Sequence, residues 1–273
     1  IPLNVSRSYL QADGNVKKIS EYITRKVADK LNDLFKTDRP AFEQKWRDLG
    51  VFVKYGMVSD QKFQERAMNF ALLENTSGEH FLLPDYKEKI KANQTDKHQK
   101  VVCIYAQDPE GHDALVKAAK NRGYDVLKMD TVLDNHWMQH IEYRSNLDML
   151  FVRIDSDTLD KIVQKEEQKT SVLSEQEITS VKTVFETTIG DKTAGGRVEC
   201  AALAPDDAPV TITRPEFLRR MKEMQAMHGM GAGGDFPDSF NVVVNTNHPL
   251  VANKLVKTEN ADEQASLARY LYE

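Results

Sequence analysis

The sequence predicts a two-domain α/β protein: a helical coil and a small α/β/α sandwich, followed by a mixed α/β C-terminal domain. Three observations carry this expectation. The chain has 273 residues, a length that suits two domains better than one. Apolar side chains recur at steps of three and four through residues 16–71, the spacing of amphipathic helices. From residue 101 onward, short apolar runs alternate with helical patterns, which argues for layered strands and helices.

The elements follow in order. Residues 1–12, IPLNVSRSYLQA, read as a short strand that runs into a polar loop. Over 16–35, Val16, Ile19, Ile23, Val27, Leu31 and Leu34 fall on one helical face, and Asp13, Gly14 and Asn15 supply a turn and an N-cap. A second helix starts near Pro40, a residue suited to a first helical turn, and runs through Phe42, Trp46 and Leu49. A third spans 61–72, with Phe63, Ala67, Phe70 and Ala71 inward. Polar residues at 91–100 mark a linker. Residues 101–105 form a continuous apolar run, the mark of a buried parallel strand. A helix at 113–121 closes at Gly123, a strand follows at 124–129, a helix at 134–143 and a strand at 149–154.

The charged stretch 164–171, QKEEQKTS, sets the expected boundary: a first domain at 1–165, with the coil at 13–90 and the small layer at 98–160, and a second domain at 170–273. In the second, a helix at 175–188 ends at Gly190. Strands at 197–203 and 210–213 are joined by the turn Ala204-Pro205-Asp206-Asp207. A helix at 215–227, a glycine-rich loop, a strand at 240–244, a helix at 248–257 and a helix opening at 261 complete the chain. The abrupt apolar start, Ile1-Pro2-Leu3, reads as the start of a piece of a larger protein, with no signal peptide.

Composition narrows the function. Apolar residues are 40% and charged residues 29%, with a net charge of -5. Nucleic-acid binding needs a basic footprint that this balance does not offer. No apolar run approaches the roughly 20 residues of a membrane-spanning helix. Cys103 and Cys200 lie far apart in apolar runs and read as two thiols of a reducing compartment, so a cytoplasmic location is expected.

Few residues carry chemistry. Arg7, on a loop between Asn4 and Gln11, is a candidate phosphate sensor, since a planar, permanently charged guanidinium matches phosphate oxygens. On spacing alone, a solvated surface arginine is the ordinary reading. His136 and His140 stand four apart, a spacing that can hold zinc, but no Glu follows His136 and no third ligand is evident, so no metal is expected. Trp137 and Met138 beside them suggest a partly apolar, exposed helix start. Phe217, Met221 and Met224 form a helical stripe that is either core or an adaptable binding surface, because methionine is flexible and polarizable. The glycine-rich stretch 229–234 lacks the Lys-Ser/Thr of a phosphate loop.

The opening string IPLNVSRSYLQ resembles the catalytic loop of the ninety-kilodalton heat-shock chaperones in their bacterial form. Pro2, Leu3, Asn4, Ser6, Arg7, Leu10 and Gln11 match that pattern, while Ser8 stands where the family has an acid. The segment from Val101 to Ile141 resembles the family's middle domain, and VVVNTNHPLV resembles its C-terminal domain. The resemblance implies an ATP-dependent chaperone, an ATPase when whole, that binds unfolded or partly folded client proteins. It implies that ATP and Mg2+ are held by a separate N-terminal domain, that Arg7 reaches the γ-phosphate with Asn4 and Gln11 in support, and that this piece alone is inactive. Clients would meet Phe217, Met221, Met224 and Trp137, and C-terminal helices would join a homodimer. Two other classes compete: a non-enzymatic α/β protein-binding scaffold, and a DNA-acting relative of the same ATPase superfamily. The second would carry lysine at the sensing position and a basic groove.

Overall fold

A computed structural model describes residues 14–144, 147–164, 169–190, 196–216 and 239–273. Mixed helices and small sheets make up the chain, as its patterning predicts. Contacts divide it into two compact units: residues 14–92 with 127–149, and residues 93–126 with 150–273. The division does not fall at 164–171. Residues 98–126 and 150–160 of the small layer share a unit with the C-terminal sheet, while residues 127–149 fall in the other.

The first unit opens with α1 (Gly14–Thr37), α2 (Arg39–Ser59) and α3 (Gln61–Ala67). Asp38 caps α2 by accepting a hydrogen bond from the Ala41 N–H at 3.1 Å, and Pro40 fills the first turn, where a missing N–H costs nothing. Phe42, Trp46, Val53 and Met57 line the buried face of α2. Phe63, Ala67, Phe70 and Ala71 are buried as expected, but the helix stops at Ala67. The chain then turns into a hairpin of β1 (Leu72–Glu74) and β2 (His80–Leu82), followed by α4 (Leu83–Lys91). The side-chain oxygen of Asn75 accepts from the N–H groups of Ser77 and Glu79, and Gly78 takes a φ of 78°, which a side chain would strain. On α1, Ala28 is buried, while Ile19, Ile23, Val27 and Leu34 stay between 41% and 54% exposed.

The polar stretch 91–100 is an ordered turn rather than a loose linker. Asp96 accepts from the N–H groups of His98 and Lys100, both at 2.8 Å, and buried Gln94 donates to the Val102 carbonyl while accepting from the Asp125 N–H. The next elements are β3 (Val101–Ala106), α5 (Asp113–Asn121), β4 (Val126–Lys128), α6 (Asp134–Arg144), β5 (Met149–Arg153) and α7 (Leu159–Ile162). The three strands form a sheet in the order β4-β3-β5. One core packs Val102, Ile104 and Ala106 of β3 against Val116 and Ala119 of α5 and Leu159 and Ile162 of α7.

α8 (Glu175–Ile189) begins with a capping box: the Ser174 hydroxyl accepts from the Glu177 N–H, and the Glu177 carboxylate accepts from the Ser174 N–H. The Ser174 hydroxyl, which also donates to the Glu177 carboxylate at 2.7 Å, and then the Ser174 N–H hold that carboxyl below its ordinary range. A three-stranded sheet follows, with β6 (Val198–Ala201) parallel and β7 (Val210–Thr213) antiparallel to the central β8 (Asn241–Asn245). A π-helical turn, Leu250–Leu255, and α9 (Ala261–Tyr272) close the chain. A second core joins Val181, Phe185 and Ile189 of α8 to Val242 and Val244 of β8, Val251, Leu255 and Ala268.

Candidate functional site

The loop residues Asn4, Arg7 and Gln11 lie outside the described residues, as do Phe217, Met221 and Met224. Trp137 is described, and its position corrects the expectation of a surface patch. Trp137 is 2% exposed and Met138 is 1% exposed. The cause lies in helical geometry: Asp134, Trp137, Met138 and Ile141 share one face of α6, and that face packs on α2. The indole N–H of Trp137 donates to Met57 Sδ at 3.4 Å, and Lys54 Nζ lies 5.5 Å from the Trp137 ring centroid. Lys54 also pairs with the Asp134 carboxylate, whose other oxygen accepts from the Thr131 N–H at 2.9 Å. What α6 presents outward at this point is His136. His140 Nε2 lies 3.0 Å from Gln64 Oε1, so that ring is engaged inside the unit. Among the described residues, no group of three or more His, Cys, Asp or Glu could hold a metal ion.

The second unit holds a cleft of about 610 Å³. Leu150, Val152, Ile162 and Pro215 supply its apolar lining, and Asp157 and Lys161 stand among its charged groups. Burial pushes the Asp157 carboxyl above its ordinary value, opposed by the Thr158 N–H and by Lys161. Burial pulls the Lys161 ammonium down, but Glu199 and Asp157 outweigh it, so its pKa sits above the ordinary lysine value. Nearby, Arg153 grips Asp155 with two guanidinium nitrogens, and His112 Nε2 lies 3.6 Å from the same carboxylate.

The motif Asn245-Thr246-Asn247 works as a polar clasp. Asn245 is fully buried; it accepts from the N–H groups of Leu203 and Asn247 and donates to the Ala204 carbonyl at 2.7 Å. Asn247 donates to the carbonyls of Thr170 and Leu203 and accepts from the Val172 N–H. The string singled out for its resemblance therefore has a structural role, tying the chain that leads into α8 to the end of β6. Cys200 is half-buried, and desolvation pushes its thiol up to about 11, which keeps it protonated and unreactive near neutrality.

These elements define a class: a mixed α/β module of helical coil, small α/β layer and C-terminal sheet, preceded in the sequence by the Arg7 segment. The family described as Hsp90 protein matches residues 1–273, and the chain belongs to that family. It is 43% identical over 269 residues to the chaperone protein HtpG of Porphyromonas gingivalis, covering 98% of this chain and 39% of that protein. It is 42% identical over 266 residues to the chaperone protein HtpG of Bacteroides fragilis, covering 97% of this chain and 38% of that protein. The chain thus spans about two fifths of the length of these curated relatives. Among solved structures, the middle domain of a putative heat shock protein of Plasmodium falciparum matches 52% of this chain and 59% of its own, at 18% identity and a TM-score of 0.42. The chaperone family expected from the opening loop is the one that matches.

Proposed function

We propose that this chain is part of an ATP-dependent chaperone that holds non-native client proteins and acts in the cytoplasm. The family match, unbroken from residue 1 to residue 273, carries this reading. In it, a separate N-terminal domain holds ATP with Mg2+, and Arg7 approaches the γ-phosphate with Asn4 and Gln11 as polar support. Phosphoryl transfer needs little covalent help from protein; it needs charge placed where negative charge develops. An arginine delivered from another domain supplies that charge only when the domains dock, which couples hydrolysis to a conformational cycle. Clients meet the stripe of Phe217, Met221 and Met224. Trp137 leaves the client set, because a side chain sealed between α2 and α6 has no surface to offer. The intact protein works as a homodimer.

The test is Arg7→Ala in the full-length protein. ATP affinity should stay near that of the parent, while turnover falls roughly a hundred- to thousand-fold, the scale of one lost transition-state contact. Unchanged turnover overturns the assignment. Calorimetric titration of the 273-residue chain alone should give no ATP binding in the micromolar range.

A further inference from the structure

We infer that the small α/β layer and the C-terminal sheet are joined by an electrostatic latch, and that salt governs how firmly it holds. Four observations on the second unit converge. First, its two apolar cores are distinct: the layer core runs through Val102, Ile104, Val116 and Ile162, the C-terminal core through Phe185, Val242, Val244 and Leu255, and among the described residues they share no side chain. Second, charged contacts bridge them. Arg122, at the end of α5, binds Asp160 of α7 through one nitrogen at 2.8 Å and Asp207 of the C-terminal turn through the other. Lys161 of α7 binds Glu199 of β6 at 2.8 Å. Third, the cleft of about 610 Å³ has both sides in its walls, with Leu150, Val152 and Ile162 from the layer and Pro215 and Asn241 from the C-terminal part. Fourth, one backbone bond crosses the same seam, from the Arg214 N–H to the Asp155 carbonyl at 2.8 Å.

The chemistry follows from these contacts. Apolar packing holds at any ionic strength, whereas ion pairs with exposed edges weaken as salt shortens the Debye length from about 10 Å at 0.1 M to about 3 Å at 1 M. The Arg122 side chain is 19% exposed and Lys161 44%, so both pairs feel solvent. Arg122 is the central member because its fork satisfies one carboxylate from each side. The Asp207 carboxylate is itself set in place, since it accepts from the Ala204 N–H at 3.1 Å. Within the C-terminal part, the Asn245-Thr246-Asn247 clasp fixes the incoming chain at 170–172. Opening of the seam would therefore leave that clasp and both cores intact.

The experiment places spin labels at exposed Lys117 on α5 and exposed Lys182 on α8, in the 273-residue chain with Cys200→Ser, and reads the distance distribution. For the parent chain it should broaden between about 0.1 M and about 1 M sodium chloride, with circular dichroism unchanged. Arg122→Glu should broaden it already at low salt. Arg122→Glu combined with Asp207→Arg should narrow it again, because the pair is rebuilt with reversed sign. The salt series on the parent needs no charge variant, so it stands even if Arg122→Glu fails to fold. A distribution that ignores salt overturns the latch, as does a double variant no narrower than Arg122→Glu.

Discussion

Lys54 and Asp134 show how burial turns an ordinary pair into a structural demand. Their side chains are 10% and 2% exposed, and the pair stands against the Trp137 ring. Removing one partner of a buried pair strands the other charge in an apolar surrounding and costs about 3–5 kcal/mol. Asp134→Ala should lower the unfolding free energy by that amount in urea titration. Glu43→Ala breaks only the exposed pair with Arg39 and should stay within about 1 kcal/mol. An equal loss in both variants would show that Lys54 finds another partner or water. The same region shows what is readable at this scale. Asp134, Trp137, Met138 and Ile141 stand at i, i+3, i+4 and i+7, so the inward face is legible in the sequence. Reading Trp137 by its proximity to His136 and His140, rather than by its place on that face, puts it on the wrong side of the helix.

The elements differ in how far pattern alone reveals them. Helices with caps are legible: Asp38 and Pro40 mark α2, and Ser174 with Glu177 marks α8. β1 and β2 escape because three-residue strands show no period, although the Asn75 to Gly78 turn signals a reversal. The apolar spacing of Phe63, Ala67, Phe70 and Ala71 continues through that break, so the spacing finds the core correctly while drawing the helix too long. Side-chain hydrogen bonding is the least legible layer, and the clasp at Asn245 is its clearest case. Asn245→Ala removes partners from the Leu203 and Asn247 N–H groups and from the Ala204 carbonyl in a fully buried place. Each buried group left unsatisfied costs about 1–3 kcal/mol. The variant should therefore lose at least about 2 kcal/mol, with loss of hydrogen-exchange protection at Leu203 and Asn247, whose N–H groups lose their acceptor. A loss below about 0.5 kcal/mol would show that water replaces the clasp.

At the scale of the whole molecule, the remaining question is what the chain does with its apolar surface. The sequence offers Ala265, Leu267, Ala268 and Leu271 of α9 as a stripe in want of a partner. The structure supplies one internally: Ala268 is fully buried in the C-terminal core, Leu267, Leu271 and Tyr272 pack against that core, and α9 lies on α8. Tyr270, at 75% exposed, is the large apolar side chain that α9 leaves open. A stable two-fold interface repeats one patch on both subunits and usually buries on the order of 1,200 Å² or more. One tyrosine per subunit falls far short of that. The 273-residue chain should therefore sediment as a monomer at micromolar concentration, whatever the longer protein does. The open stripe of Ile19, Tyr22, Ile23 and Val27 on α1 is the competing surface, and it makes the experiment discriminating. If the chain dimerises and Ile23→Lys restores the monomer, the contact runs through α1. If it dimerises and Tyr270→Lys restores the monomer, α9 contributes more interface than its own packing leaves room for, and the internal account of that helix fails.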